Sequence, residues 1–352
     1  MTSSGLITDI RPFPLVAWRC VHQARSVERT GKSVSVTRWI LLPLLLMSAT
    51  HALAQEQSSS AIPRTPDGRP DFHGVWESRW RTPLERPDEL EGPTMTAERA
   101  ARFQSDREKR NEATDMHPPD DSEYDTFMPA ANALFRTSQI VEPADGMLPF
   151  TEAAFEMFDE WDERLYLNAD PEDRMPTERC IVGVGRAPMQ IAGSNMFRRI
   201  VQTPDHMVIL TEYMNEVRVI TIGARHKPAA ITSYQGESVA QWEDDTLVIK
   251  TTNYAEAYAI RGIILGPQSV VTERLSLTDA NEISYEFTVV DTAIYGEPWR
   301  AQYILRRTEA RVWESSCHEG NHGMINILLG ARMAETRSAQ AVVAQPATDK
   351  IP

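Results

Sequence analysis

Gln241-Trp242-Glu243-Asp244-Asp245-Thr246-Leu247-Val248-Ile249 decides the fold. β-Branched and aromatic residues flank two short acidic residues, and aspartate tolerates positive φ, so Asp244-Asp245 reads as a tight turn joining two antiparallel strands. Runs with period-two alternation continue outward on both sides. Candidate strands are 188–193, 198–204, 207–214, 216–223, 233–243, 246–254, 269–279, 282–291 and 299–309. Gaps such as Pro204-Asp205, Asn215 and Ala280-Asn281 are too short for crossovers and favour antiparallel neighbours. Eight or nine adjacent strands over 181–315 predict a mainly β protein, an up-and-down meander closed into a barrel that leaves no exposed edge. A two-sheet sandwich is the competing arrangement.

The first 54 residues belong to a different grammar. Arg11, Arg19, Arg25, Arg29, Lys32 and Arg38 stand against only Asp9 and Glu28, and an apolar run from Trp39 to Met47 precedes Ala52-Leu53-Ala54. A basic stretch, a short apolar core and an A-x-A site predict a secretory signal cleaved after Ala54. The run is short for a bilayer span and contains Pro43, so no stable membrane insertion is expected after cleavage. The basic part is long for a signal, which raises the alternative that translation starts near Val34 or Val36. Removing six basic and two acidic residues takes the net charge from −14 to about −18. Such a chain repels nucleic acid and anionic membrane. The expected compartment is the periplasm or the exterior, where Cys180 and Cys317 would form a disulfide once Cys20 leaves with the signal.

Between signal and meander, residues 55–70 read as a polar linker and Asp71-Phe72-His73-Gly74-Val75-Trp76 as a strand entry. Thr96 to Glu112 reads as a charged surface helix, and 113–148, rich in proline and acid, as a long wrapping loop. Thr151 to Leu167 places Phe155, Phe158, Trp161 and Leu165 near helical spacing, with Thr151 as N-cap. After the meander, Asn321 to Arg337 reads as a closing helix with Met324, Ile327, Leu328 and Ala331 on one side, and 338–352 as a disordered tail. The domain plan is therefore signal 1–54, linker and strand entry 55–94, helical and wrapping segment 95–179, barrel with closing helix 180–337, and tail.

Two constellations could carry chemistry. Inside the strands, Glu273 shares an apolar face with Val271, Leu275 and Leu277, and Asp291 extends the face of Ile283, Tyr285, Phe287 and Val289. A carboxylate on such a face must be paired, protonated or lining a cavity. The first reading pairs Glu273 with an arginine such as Arg218 or Arg306. The second makes Glu273, Asp291 and Arg218, with Trp242 and Asn321, the polar and aromatic contacts of a ligand held in the barrel. The other constellation is Cys317-His318-Glu319-Gly320-Asn321-His322. Glu319, assisted by His318 or by His226, could act as a general acid/base. Helix capping by Glu319 or Asn321 is the structural alternative. His318 and His322 with His226 or His73 could in principle hold zinc, but no metal site is expected. No phosphate-cradling loop, nucleophile elbow or H-E-x-x-H motif occurs, and no cofactor is expected.

Several phrases stand together: Pro70-Asp71-Phe72-His73-Gly74-Val75-Trp76, Glu178-Arg179-Cys180, Gln202-Thr203-Pro204, Trp242-Glu243-Asp244-Asp245-Thr246-Leu247-Val248, Thr272-Glu273-Arg274 and Cys317-His318-Glu319-Gly320-Asn321. In this order, over about residues 70–335, the chain resembles a widespread family of exported, uncharacterised bacterial proteins. Its members carry Gly-Asp where Asp244-Asp245 stands here, and some lack the histidine at His318, whereas Glu319 and Asn321 match both forms. The resemblance supports the boundaries and implies no particular reaction. The meander and its Gly-x-Trp entry are also similar in architecture to lipocalin and calycin barrels.

These readings lead to an exported β-barrel that binds a small apolar or aromatic molecule in its cavity. The alternatives are a cofactor-independent lyase, isomerase or hydrolase using Glu319, and an envelope scaffold working through the acidic loop 113–148.

Overall fold

The computed structural model describes residues 61–113, 126–191 and 197–344. Residues 1–60, which include the expected signal, residues 114–125 at the start of the acidic loop, 192–196 and 345–352 lie outside the described residues. Short N-terminal elements come first: β1 (Gly74–Glu77), β2 (Thr94–Met95), α1 (Ala97–Ala113), β3 (Phe135–Arg136), β4 (Ile140–Glu142) and α2 (Glu152–Leu167). Then follow β5 (Arg198–Gln202), β6 (His206–Thr211), β7 (Glu216–Ile222), β8 (Glu237–Glu243), β9 (Thr246–Thr252), β10 (Tyr258–Ile260) and β11 (Ile263–Leu265). The chain ends with β12 (Val270–Asp279), β13 (Glu282–Val290), β14 (Trp299–Thr308), α3 (Cys317–Gly320) and α4 (His322–Ala344).

The expected barrel is present. Its order is β1-β5-β6-β7-β8-β9-β12-β13-β14, and β1 pairs with both β5 and β14 to close it, while β4 adds beside β14. The central hairpin has the expected register, with Glu243 opposite Thr246. Asp244 takes φ 51°, and the turn is held from outside by Arg64 on the Asp245 carboxylate and Arg69 on the Asp244 carbonyl.

Four details depart from the expectation. The strand entry at Gly74 is a full barrel member, so the barrel is not confined to residues 180–337. β7 and β8 pair in parallel, because the connection 223–236 turns the chain back far enough for the start of β8 to run alongside the last residues of β7 in the same direction. Residues 188–191 form no strand. Finally, α4 runs past Arg337 to Ala344, through a stretch of alanine, serine and glutamine without glycine or proline.

The core is the inner face of the barrel. Ile209, Ile249, Val271, Leu275, Ile283, Phe287, Val289 and Leu305 are all buried at the alternating positions. Burial of each such side chain is worth about 1.5–3 kcal/mol. Helix α2 begins where expected, with Thr151 Oγ1 accepting from Ala154 N. On α4, Met324, Ile327, Leu328 and Ala331 are the half-buried side, as their spacing predicts.

Candidate functional site

The inside of the barrel holds a polar network. Arg218 on β7 donates Nη1 to Glu273 Oε1 at 2.9 Å and Nη2 to Glu273 Oε2, and its Nε donates to Ser238 Oγ at 2.9 Å. Tyr285 Oη donates to Glu273 Oε1 at 2.7 Å. Arg218 is 3% exposed and Glu273 0%. The pairing of Glu273 with Arg218 is the first of the two sequence readings. Ion pairing holds the Arg218 guanidinium above its ordinary range despite burial.

The remaining interior is taken by the chain itself. Val182, Val184, Arg186, Ala187, Met189 and Gln190 are buried, and the side chains of the barrel wall supply their main-chain partners. Tyr285 Oη accepts from Met189 N at 2.8 Å, Tyr303 Oη donates to Met189 O at 2.8 Å, and Tyr254 Oη donates to Ala187 O at 3.1 Å. Glu216 accepts from Gly183 N at 2.7 Å and Gly185 N at 2.6 Å. A Cβ on Gly185 would stand 2.8 Å from Glu216 Oε2, and one on Gly183 2.8 Å from the Tyr213 ring, so this approach requires glycine. An irregular segment can lie in a core only if its amides and carbonyls are satisfied, and these residues satisfy them. Residues 183–190 therefore pack against Glu216, Tyr254, Tyr285 and Tyr303, while the expected ligand contacts Glu273 and Arg218 are satisfied by each other.

The other sequence candidates are dispersed. Asp291 is 4% exposed and accepts from Ser269 Oγ at 2.6 Å and Ala293 N at 3.1 Å, closing the turn after β13. Trp242 stacks on Phe72 and lies under Arg69, near the central turn. His318 and Glu319 are exposed on α3. Among the described residues no hydrogen bond or ion pair joins them to each other or to His226. His226 Nδ1 faces Glu237 Oε2 at 3.4 Å and Thr252 Oγ1 at 3.3 Å, while its Nε2 is shielded from solvent and unpartnered. The nitrogen that would exchange a proton with a substrate is thus covered. His73 accepts from Gln202 N at 3.1 Å through Nε2. Among the described residues no three His, Cys, Asp or Glu side chains converge on a metal position.

The disulfide is formed as expected, Cys180 to Cys317, with the Cα atoms 5.9 Å apart. Asn321 reinforces it: Nδ2 donates to Glu178 O at 2.6 Å, and Oδ1 accepts from Met324 N at 3.3 Å to cap α4. The loop before Cys180 is thereby anchored to α3 and α4.

That anchored loop walls a pocket of about 100 Å³ lined by Trp161, Arg164, Glu172, Arg174, Arg179, Tyr234, Glu256 and Tyr258. Arg186 lies over the Tyr258 ring, 4.3 Å from its centroid, and supports it from inside the barrel. Burial raises the Tyr258 phenol, partly offset by Arg186, and burial with neighbouring Glu256 raises Tyr234, so both keep their protons at neutral pH. The guanidinium groups are matched by acids: Arg174 pairs with Glu178, and Arg179 stands 3.6 Å from Glu172. Sequence reading missed this pocket, since its walls come from α2, the 172–179 loop and the approach to β10. The near-helical Trp161 and the Glu178-Arg179-Cys180 phrase were the signals present.

A second pocket, about 150 Å³, opens between β7 and the 231–238 segment, lined by Arg218, Val219, Lys227, Ile231, Ser233, Gln235, Glu237 and Ser238. Both volumes fall below the several hundred Å³ common for drug-sized ligands and suit a single ring or side chain.

No protein-family model and no curated protein sequence matches this chain.

Proposed function

We propose that the protein is exported to the periplasm and binds a small aromatic molecule in the pocket between α2, the 172–179 loop and β10. The carrying observation is the wall of that pocket. Trp161 and Tyr234 offer aromatic faces over the buried Tyr258, whose hydroxyl donates to Tyr234 O, and paired arginines border them. The disulfide and Asn321 hold the loop in place before any ligand arrives, which lowers the ordering cost of binding. This moves the ligand expected inside the barrel to its outside, because residues 183–190 occupy the interior.

The test uses a bacterial metabolite extract and protein captured on resin, read by untargeted mass spectrometry. Wild type should retain a monocyclic aromatic compound unchanged. Glu319→Gln should retain it equally, and Trp161→Ala, checked for an intact melting transition, should not. Retention that is indifferent to Trp161→Ala, or no retained compound at all, overturns the reading. Conversion of a compound by wild type alone would replace it with the acid/base enzyme.

A further inference from the structure

Three arginines stand in the wall of the pocket between α2, the 172–179 loop and β10, and the way they pair leaves one charge over. Arg164 Nε lies 3.6 Å from Asp173 Oδ1, and its Nη2 donates to Glu172 O at 2.6 Å. Arg174 pairs with Glu178 and donates Nη1 to Leu165 O at 3.1 Å. Arg179 Nη2 lies 3.6 Å from Glu172 Oε1. Each guanidinium has a carboxylate of its own.

Glu256 lines the same pocket, is exposed, and has no ion pair among the described residues. Its neighbour is the hydroxyl of Tyr234. Burial and then Glu256 raise the Tyr234 phenol, while Arg179 opposes them. A neutral phenol can donate a hydrogen bond to a carboxylate but does not cancel its charge. The wall therefore carries one negative charge in excess, in a chain whose net charge is −14. Such a field draws cations and repels anions.

The aromatic groups point the same way. The faces of tryptophan and tyrosine attract a cation held within about 6 Å of the ring centroid. Tyr258 is already used like this from inside the barrel, where the buried Arg186 lies 4.3 Å from its centroid. Its hydroxyl is committed as well, donating to Tyr234 O. Tyr258 is thus a fixed floor, and the half-buried Trp161 and Tyr234 are the faces left for a ligand. A volume of about 100 Å³ holds little more than one ring with a short arm.

Resting on the aromatic-binding reading above, we propose that the ligand is a single aromatic ring with a short aminoalkyl arm, bound as its ammonium. The ring lies against Trp161 and Tyr234, and Glu256 is the counter-ion of the ammonium. The charge-assisted N–H bonds to Glu256 supply the preference for an amine over a neutral ring of the same size.

The experiment compares benzylamine, benzyl alcohol and benzoate, three one-ring probes of nearly equal size, at neutral pH and low ionic strength. Binding is followed by NMR on the Trp161 indole. Benzylamine should bind at least tenfold tighter than benzyl alcohol, with benzoate weaker still, and added salt should narrow the gap. Glu256→Gln changes an exposed side chain and should keep the wild-type melting transition. It should leave the affinity for benzyl alcohol unchanged and bring benzylamine to within about twofold of it. Benzyl alcohol or benzoate binding as tightly as benzylamine would overturn the amine assignment while leaving the aromatic site standing. A preference for benzylamine that survives in Glu256→Gln would overturn the role of Glu256. Failure of all three probes to saturate would overturn the aromatic site itself, and this inference with it.

Discussion

Replacing Glu273 by alanine should be among the most damaging single changes in the barrel, and the geometry sets the size. The substitution removes two hydrogen bonds from Arg218 and the acceptor of Tyr285 Oη, all at groups no more than 3% exposed. The guanidinium is left in the core with only Ser238 and Thr251 as partners. Breaking a buried pair in this way costs about 3–5 kcal/mol, a large part of a typical stability of roughly 5–15 kcal/mol. Arg218→Met should cost a similar amount, because it strands the carboxylate. The double variant Arg218→Met/Glu273→Leu removes both charges together. It leaves the Tyr285 hydroxyl without its acceptor, at about 1–3 kcal/mol, while that oxygen still accepts from Met189 N and Ser238 and Thr251 keep their mutual bond, and added apolar packing offsets part of the loss. Its loss should be about 1–3 kcal/mol, well below the sum of the single losses. Urea unfolding followed by circular dichroism measures all four proteins in one cycle. Single losses under about 1 kcal/mol, or a double variant as damaged as the sum, would refute the view that this pair is a mutually satisfied structural unit.

Three further outcomes follow from the same geometry. Cys180→Ser/Cys317→Ser opens a loop with a sequence separation of 137 and should lower stability by about 2–5 kcal/mol in the same urea assay, with no free thiol titrating in the wild-type protein lacking residues 1–54. Burial raises the Glu216 carboxyl above its ordinary 4.5, the N–H groups of Gly183 and Gly185 opposing this only in part. The folded state therefore holds that proton more tightly than the unfolded chain. The stabilising contribution is complete below the ordinary value and is lost as pH rises through the raised one. Glu216→Gln should flatten that part of the stability–pH curve, and an unchanged slope above pH 4.5 would contradict the assignment. Asn321→Ala should cost about 0.5–2 kcal/mol through the lost α4 cap, whereas Glu319→Gln, at an exposed side chain without a hydrogen bond or ion pair among the described residues, should leave the urea midpoint unmoved.

The fold was legible wherever one local rule acted alone. Period-two alternation located β5 to β9 and β12 to β14, and the Thr151 cap and the apolar side of α4 followed from helical spacing. The Cys180–Cys317 pairing followed from the two cysteines left once residues 1–54 are set apart as an expected signal. Where non-local contacts decide, the sequence misled. Pro188 to Ile191 has the composition of a strand, yet Met189 finds its hydrogen bonds on the side chains of Tyr285 and Tyr303 instead of a neighbouring ladder. Gly183 and Gly185 were the visible hint, because two glycines beside a buried Glu216 signal close approach. The β10–β11 hairpin was missed because its strands are three residues each, although Arg261 and Gly262 both take positive φ in its turn. The candidate site was least legible. Trp161, Tyr234 and Tyr258 lie far apart in sequence, and only the fold brings them to one pocket, while Glu319 and His318 looked chemical because they are clustered in sequence.

The most direct measurement is an NMR titration of the protein with phenol, benzoate and benzylamine, followed on the indole of Trp161. Saturable shifts of that indole and of the residue 172–179 amides with at least one probe are expected, and Trp161→Ala should abolish those of the loop. Shifts that never saturate, or that fall on other parts of the molecule, would contradict the proposed aromatic site.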